Sequence, residues 1–219
     1  MKHLVFFILV MSVVMPVFAQ NEVPEHTFAS GSWNFTGPRL YQNDANARLA
    51  KVNFKVPQSG IMLYKFNVRY EGGAEDGHGG VGIHIFVDNA INRASWGAGK
   101  SYLLWLNYDE KSTSKDIPSG LSAQVYRSIN NSQMELMVST PLTEYERFLT
   151  KENLASPITF TIIANGDTGE VRVYDPTDPN NKKYFVFFMD KRDLPMKGNF
   201  AALRTNGMKL SFALEDAGK

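Results

Sequence analysis

From residue 50 onward, hydrophobic and polar residues alternate along most of the chain, as in β-strands that bury one face. The segment 50–56 shows this alternation without interruption, and 62–70 shows it except at Leu63. The segment 102–108 is apolar at consecutive positions, which predicts a central strand covered on both faces. Repeating the count along the chain predicts about 12 strands and an all-β domain.

Three turn sequences separate predicted strands, and each predicts a hairpin. They are Asn130–Asn131, Asn165–Gly169 and Thr205–Gly207. Asn and Gly favour such turns because both tolerate a positive φ. The last hairpin would join strands 198–204 and 208–214.

One short helix is predicted near 141–151. Pro141 suits a first helical turn, and Leu142, Tyr145 and Leu149 recur on one face. We expect this helix to cross between two strands.

The amino terminus predicts an export signal. Lys2 precedes an apolar run from Leu4 to Met15, and small residues lead to a cleavage site after Ala19. The alternative is a retained anchor, but a run of about a dozen residues falls short of the roughly 20 that cross a bilayer. We therefore predict a signal peptide over 1–19 and a single β-sandwich domain over 20–219.

The charge balance of the predicted mature chain argues against nucleic acid as a partner. Without Lys2 it carries 22 basic and 22 acidic residues, whereas nucleic-acid binders usually have a basic excess. The chain has no cysteine, so its stability must come from core packing. No later segment is long and apolar enough to span a membrane. We expect a periplasmic, cell-surface or extracellular protein.

Catalytic and cofactor motifs are absent from the sequence. The chain has four histidines, and it has no Glu-x-Asp-x-Glu run of the kind that sandwich glycosidases place on one strand. We expect no enzymatic activity, no catalytic residue and no cofactor. A catalytic set assembled only in space remains open.

The glycine-rich segment 71–80 offers weak candidates for a metal site. Its acidic and imidazole side chains are Glu71, Glu75, Asp76 and His78. Their spacing matches no dedicated metal motif, so we expect a solvated loop and no metal.

Four aromatic residues are candidates for binding a partner: Trp96, Tyr102, Trp105 and Tyr126. Trp96 precedes a strand and Trp105 lies within it. Tryptophan and tyrosine bury a large area at low entropic cost, which suits stacking on sugars or docking on proteins. The alternative for Trp105 is a place in the core, because its strand is apolar on both faces.

Several segments carry a family resemblance: 79–83, 101–104, 158–167, 170–174 and 198–207. Their order of glycines, apolar strands and turns resembles the concanavalin A-like superfamily, which includes laminin G-type domains. The resemblance implies a jelly-roll β-sandwich in which Met208–Leu214 is a closing edge strand. It carries over no functional residue, because this fold serves many functions.

These observations predict an exported, non-catalytic binding or structural module that acts through protein or glycan contacts. One alternative is a lectin-like domain or a glycan-active enzyme. Another is an accessory coat component, since the outer-layer proteins of spirochaete periplasmic flagella are similar in size, export and composition. An enzyme should show paired carboxylates in a groove, a lectin exposed aromatics beside polar side chains, and an assembly component a broad apolar patch.

Overall fold

The computed structural model describes residues 15–16, 23–145 and 151–214. Its strands are β1 (Met15–Pro16), β2 (His26–Ser30), β3 (Trp33–Thr36), β4 (Arg39–Gln42), β5 (Ala50–Gln58), β6 (Ile61–Gly73), β7 (His78–Val87), β8 (Ser101–Asp109), β9 (Gly120–Ser128), β10 (Met134–Pro141), β11 (Ile158–Asn165), β12 (Glu170–Tyr174), β13 (Tyr184–Phe188), β14 (Gly198–Asn206) and β15 (Met208–Leu214). Its helical elements are α1 (Lys151–Leu154) and a 3₁₀ turn (Lys191–Asp193).

Fourteen of the described strands form two antiparallel sheets of seven. Sheet I has the order β13-β12-β11-β6-β15-β4-β3, and sheet II has the order β10-β9-β8-β7-β14-β5-β2. The two-residue β1 adds a parallel pairing beside Met62 and Leu63 of β6. The predicted all-β sandwich is confirmed. The strands that the sequence pattern missed are the short ones before residue 50.

The core lies between the inner faces of the two sheets. Val52 and Phe54 of β5 and Tyr64 and Phe66 of β6 belong to this core, and all four side chains are buried. Burying a side chain of this size stabilises the fold by about 1.5–3 kcal/mol. The alternation seen in the sequence therefore does mark the inward-facing positions.

The predicted hairpin across Thr205–Gly207 is wrong. β14 belongs to sheet II and β15 to sheet I, so Gly207, with a φ of 64°, turns the chain from one sheet to the other. β15 is also not a closing edge strand, since it lies between β6 and β4. A tight turn fixes the local backbone direction, but it does not fix which sheet the next strand joins.

The predicted single short helix is present, but its predicted start at Pro141 is wrong. β10 continues to Pro141, and a turn follows in which the Tyr145 amide donates to the Leu142 carbonyl over 2.8 Å. Residues 146–150 lie outside the described residues. The described helix, α1, is Lys151–Leu154. Within the described ranges, no helix has both the length and the apolar character needed to cross a membrane.

Candidate functional site

A loop covers part of the outer face of sheet II. This loop, residues 88–100, joins β7 to β8 and is referred to as the 88–100 loop. Lys51 Nζ on β5 donates to the carbonyl oxygens of Ser95 (3.1 Å) and Gly97 (2.6 Å). Arg204 Nη1 on β14 donates to the Trp96 carbonyl over 2.7 Å. Two cationic side chains of the sheet thus hold the loop by its backbone.

The other side of the 88–100 loop is held by the β9–β10 turn. The Gly97 amide donates to the Asn131 carbonyl (3.0 Å), and the Gly99 amide donates to Asn131 Oδ1 (2.9 Å). Gly99 has a φ of 51°, which favours glycine. The loop is therefore held both by the sheet and by the β9–β10 turn. The side chain of Trp96 takes no part in these hydrogen bonds.

One cross-strand row carries the main features of the face. Pairing places Gln124, Trp105, Gly82, Arg204 and Lys51 side by side on adjacent strands. A Cβ on Gly82 would lie 2.9 Å from Trp105 Cε3 and would collide with a backbone carbonyl of β8. Glycine therefore leaves the space into which the Trp105 indole extends over β7.

The Arg204 guanidinium lies between two indole rings. Its Cζ is 4.7 Å from the centroid of the Trp96 ring and 5.4 Å from that of the Trp105 ring. Such cation–π contacts stabilise by about 0.5–2 kcal/mol, with the higher values at desolvated sites. Arg204 thus gives the side chain of Trp96 a fixed support. Trp96 itself is 47% exposed.

Three buried basic groups lie under this surface, and burial lowers the pKa of each. Burial, with a smaller contribution from Arg204, lowers the pKa of Lys51 to about 7. Burial lowers the pKa of Arg204 to about 10, so it stays charged at neutral pH. Burial, followed by the charges of Lys51 and Arg204, holds the pKa of His84 well below its usual value. Arg204 and the protonated fraction of Lys51 therefore carry positive charge beneath this face.

Amide and hydroxyl side chains line the β8–β10 part of the face. Tyr126 donates to Gln124 Oε1 (2.8 Å), and Gln124 Nε2 donates to Ser122 Oγ (3.0 Å). Ser139 Oγ on β10 is buried and has no hydrogen-bond partner within the described residues. The half-buried Tyr126 hydroxyl, which uses its proton on Gln124, can still accept a hydrogen bond from a polar ligand.

The structure brings three of the four predicted aromatic residues to this face. Trp96 is exposed, and Tyr126 is half-buried. Trp105 is 8% exposed, and its Nε1 donates to Asn107 Oδ1 over 3.1 Å. Trp105 is therefore largely buried, although it lies on the outer face and not between the sheets.

Tyr102 does not belong with them, because it points into the sandwich. Its hydroxyl donates to Asp193 Oδ2 over 2.8 Å, and Asp193 also binds Arg127 (2.7 Å) and Lys100 (3.1 Å). The Arg127 guanidinium holds the pKa of Asp193 far below its usual value. Odd and even residues of a strand face opposite sides, so Tyr102 and Trp105 cannot share a face.

The four weak metal candidates bind separate partners. Glu71 binds Arg69 and Ser211, Glu75 pairs with Lys151, Asp76 pairs with Arg48, and His78 lies 3.5 Å from Asp109. Within the described part of the chain, no group of three or more His, Cys, Asp or Glu side chains is placed to hold a metal ion.

Two cavities lie away from the 88–100 loop. One of about 230 Å³ lies between the sheets near β10 and β13, and its lining is mostly apolar, including Phe160 and Phe187. A second, of about 670 Å³, lies beside α1 and has Glu110 and Glu152 among its lining residues. The lining of the first cavity contains no carboxylate, so a reaction that needs paired carboxylates would have to use the second cavity.

Sequence reasoning missed Lys51 and Arg204. Lys51 and Lys55 occupy equivalent polar positions in the same alternating strand, yet Lys51 is 1% exposed and Lys55 is exposed. No local signal separates them, because the 88–100 loop that covers Lys51 is distant in the sequence. The sequence indicated Trp96 because it stands in the loop before a strand, whereas most other aromatic residues occupy inward strand positions.

No protein-family model matches the chain, and no curated protein matches it in sequence. Solved structures do match. A protein of unknown function with a galectin-like fold from Bacillus subtilis is 14% identical, with a TM-score of 0.54 and coverage of 91% of each chain. The metal-free carbohydrate recognition domain of Emp46p is 10% identical, with a TM-score of 0.50, and the match covers 93% of this chain and 95% of that chain.

A third similar structure is the CBM2 module of the evolved Dit of Lactobacillus casei BL23 phage J-1. It is 10% identical, with a TM-score of 0.50, and the match covers 95% of this chain and 90% of that module. At these identities the likeness establishes the fold alone. The chain has a lectin-like β-sandwich fold, which agrees with the concanavalin A-like resemblance in its sequence.

Proposed function

We propose that the chain is an exported, non-catalytic binding module that binds a glycan on the outer face of sheet II. The observation that carries the proposal is Trp96, an exposed indole held against the buried guanidinium of Arg204. Its ring is a preorganised surface on which the apolar face of a sugar can stack, because the loop backbone is already fixed.

The polar groups beside Trp96 suit a ligand rich in hydroxyls. Tyr126 is half-buried on this face, and its hydroxyl is backed by Gln124 and by the buried hydroxyl of Ser139 on the adjacent strand. A binding site of this kind needs an apolar contact and a few placed polar groups to orient the ligand. The carbohydrate recognition domain of Emp46p shares the fold, which supports a glycan as the ligand class.

Binding to a panel of glycans, followed by titration calorimetry, tests the proposal. We expect Trp96→Ala to weaken binding of the selected glycan by about 30-fold, corresponding to roughly 2 kcal/mol for a hot-spot aromatic. Trp96→Phe should retain part of the affinity. The melting temperature of Trp96→Ala should fall by only a few degrees, because the loop's hydrogen bonds use backbone atoms and only the ring's contact with Arg204 is lost.

A matched control is Phe188→Ala, which removes an exposed aromatic ring from β13, in the other sheet. It should leave glycan affinity unchanged. Equal binding by wild type and Trp96→Ala would contradict the site. A large stability loss in Trp96→Ala with binding intact would show that the ring is structural.

Tryptophan fluorescence gives an independent measurement. Trp33 and Trp105 are each 8% exposed, so Trp96 should account for most quenching by acrylamide. A bound glycan should protect Trp96 and lower the quenching constant. Unchanged quenching at saturating glycan would place the ligand elsewhere.

The enzymatic alternative has a specific location in the cavity beside α1. If Glu110 and Glu152 acted as a carboxylate pair, the purified protein would hydrolyse members of the glycan panel. We expect no hydrolysis. Turnover that Glu110→Gln or Glu152→Gln abolishes would overturn the non-catalytic part of the proposal.

The export part of the proposal is supported by the leader-like pattern of residues 1–19. Amino-terminal sequencing of the exported protein should begin at Gln20. Recovery of an intact Met1 from the soluble exported fraction would contradict cleavage. Cleavage after Ala19 would remove β1, whose pairing with β6 spans only two residues.

A further inference from the structure

The edge strand β13 is unusually apolar for a free sheet edge. It is the last strand of sheet I and pairs on one side with β12 along its whole length, Tyr184–Phe188. Tyr184, Val186 and Phe188 are 46%, 51% and 63% exposed. The strand contains no charge, proline or bulge, which are the features that normally protect an edge from pairing.

The backbone of β13 directs hydrogen-bonding groups to this edge, and no described strand pairs with them. The bonds at its two ends, Asp175 amide to Lys183 carbonyl (3.0 Å) and Met189 amide to Gly169 carbonyl (2.9 Å), fix the alternation of the ladder. Residues 185 and 187 therefore direct their amide and carbonyl groups to β12. Residues 184, 186 and 188 direct theirs to the open edge, where no residue of the described chain pairs with them.

The sequence of the edge is complementary to itself in the antiparallel direction. A twofold axis at Val186 would place Tyr184 opposite Phe188 of a second copy, and Phe185 opposite Phe187. Aromatic pairs across antiparallel strands stabilise a sheet. At the ends, Lys182 would lie opposite Asp190, whose carboxylate also binds Arg192 of its own chain.

We propose that β13 is an interface between two copies of this chain, paired antiparallel about Val186. A twofold interface must be self-complementary, and this strand meets that requirement in backbone groups and side chains. The pairing would form about six backbone hydrogen bonds and join the two copies of sheet I into one continuous sheet.

Sedimentation equilibrium of the exported protein across the micromolar range tests the interface. We expect a monomer–dimer equilibrium for wild type. Val186→Lys places two ammonium groups together at the twofold axis, and it should weaken association by roughly 100-fold, because like charges at an interface repel. Its melting temperature at low protein concentration should match that of wild type, since Val186 is exposed in the monomer.

Mixing two charged variants tests the register. Val186→Lys and Val186→Glu should each be monomeric alone and should form a heterodimer when mixed in equal amounts. Val186→Pro removes an amide that faces the open edge and not β12, so it should also abolish dimers without unfolding the monomer. Trp96→Ala is the matched control and should dimerise as wild type does.

Wild-type protein that is monomeric throughout the concentration range would overturn the proposal. A dimer that Val186→Lys leaves intact would do so as well, because the copies would then meet elsewhere. The glycan-binding result is separate, since Trp96 lies in the loop over sheet II and β13 in sheet I.

Discussion

The two outer faces of the sandwich hold their cationic side chains in different environments. On sheet I, Arg69 Nε donates to Glu71 over 2.7 Å, and both side chains are partly exposed. On sheet II, Lys51 and Arg204 are buried, and their hydrogen bonds reach carbonyl and hydroxyl oxygens of the 88–100 loop. Within the described residues, no carboxylate pairs with either of these two cations.

The cation Arg69 on sheet I is partly exposed and paired with a carboxylate, whereas the two cations on sheet II are buried and hold a loop in place. A buried charge without a counter-ion destabilises the folded state, whereas an exposed pair such as Arg69–Glu71 contributes about 0–1 kcal/mol. The burial of Lys51 and Arg204 is therefore not explained by a gain in stability. It is explained by their contacts with the 88–100 loop, because these contacts fix the position of Trp96.

The largest expected effect of a substitution comes from filling the space beneath Trp105. Gly82→Val should lower the free energy of unfolding by about 3 kcal/mol, since its side chain would overlap Trp105 and the backbone of β8. Urea unfolding measures this effect. The control on sheet I is Ala213→Val, which should change stability by less than about 0.5 kcal/mol. Equal losses of unfolding free energy in Gly82→Val and Ala213→Val would show that the two outer faces do not differ in packing.

A smaller effect should appear in the pH dependence of stability. The pKa of Lys51 is about 7 in the folded chain and near 10.5 in the unfolded chain. Between these values the unfolded chain binds a proton that the folded chain lacks, so the free energy of unfolding should rise with pH, on the order of 2 kcal/mol. Unfolding in urea at several pH values measures the rise.

The matched pair for this test is Lys51→Met and Lys55→Met, two substitutions on one strand. Lys51→Met should flatten the rise between pH 7 and about 10, and Lys55→Met should retain it, because Lys55 is exposed. A rise that survives in Lys51→Met would assign the linkage to another group.

The smallest effect is expected on sheet I. Glu71→Gln should cost about 0.5 kcal/mol, and added salt should reduce the difference from wild type, since the pair is partly solvated. Chemical denaturation at low and high salt measures both. A salt-independent loss of 2 kcal/mol or more would show that sheet I also depends on a buried charge network.

The pattern of hydrophobic and polar residues was sufficient to predict the strands after residue 50 and the burial of β8 on both faces. Alternation has a period of two in any strand with one buried face, so it is visible without the fold. The same pattern failed at Gly207, since a turn of a few residues serves equally within a sheet or between two sheets. It failed again at Pro141, which suits a first helical turn but lies at the end of β10.

The sequence by itself determined that this chain is a cysteine-free, lectin-like sandwich with a tryptophan in the loop before β8. Only the tertiary structure decided that Lys51 is buried while Lys55 is exposed, that Trp105 faces outward and Tyr102 inward, and that β13 lies at an edge. The reason is physical: strand formation depends on neighbours along the chain, whereas burial and pairing depend on segments that meet only after folding.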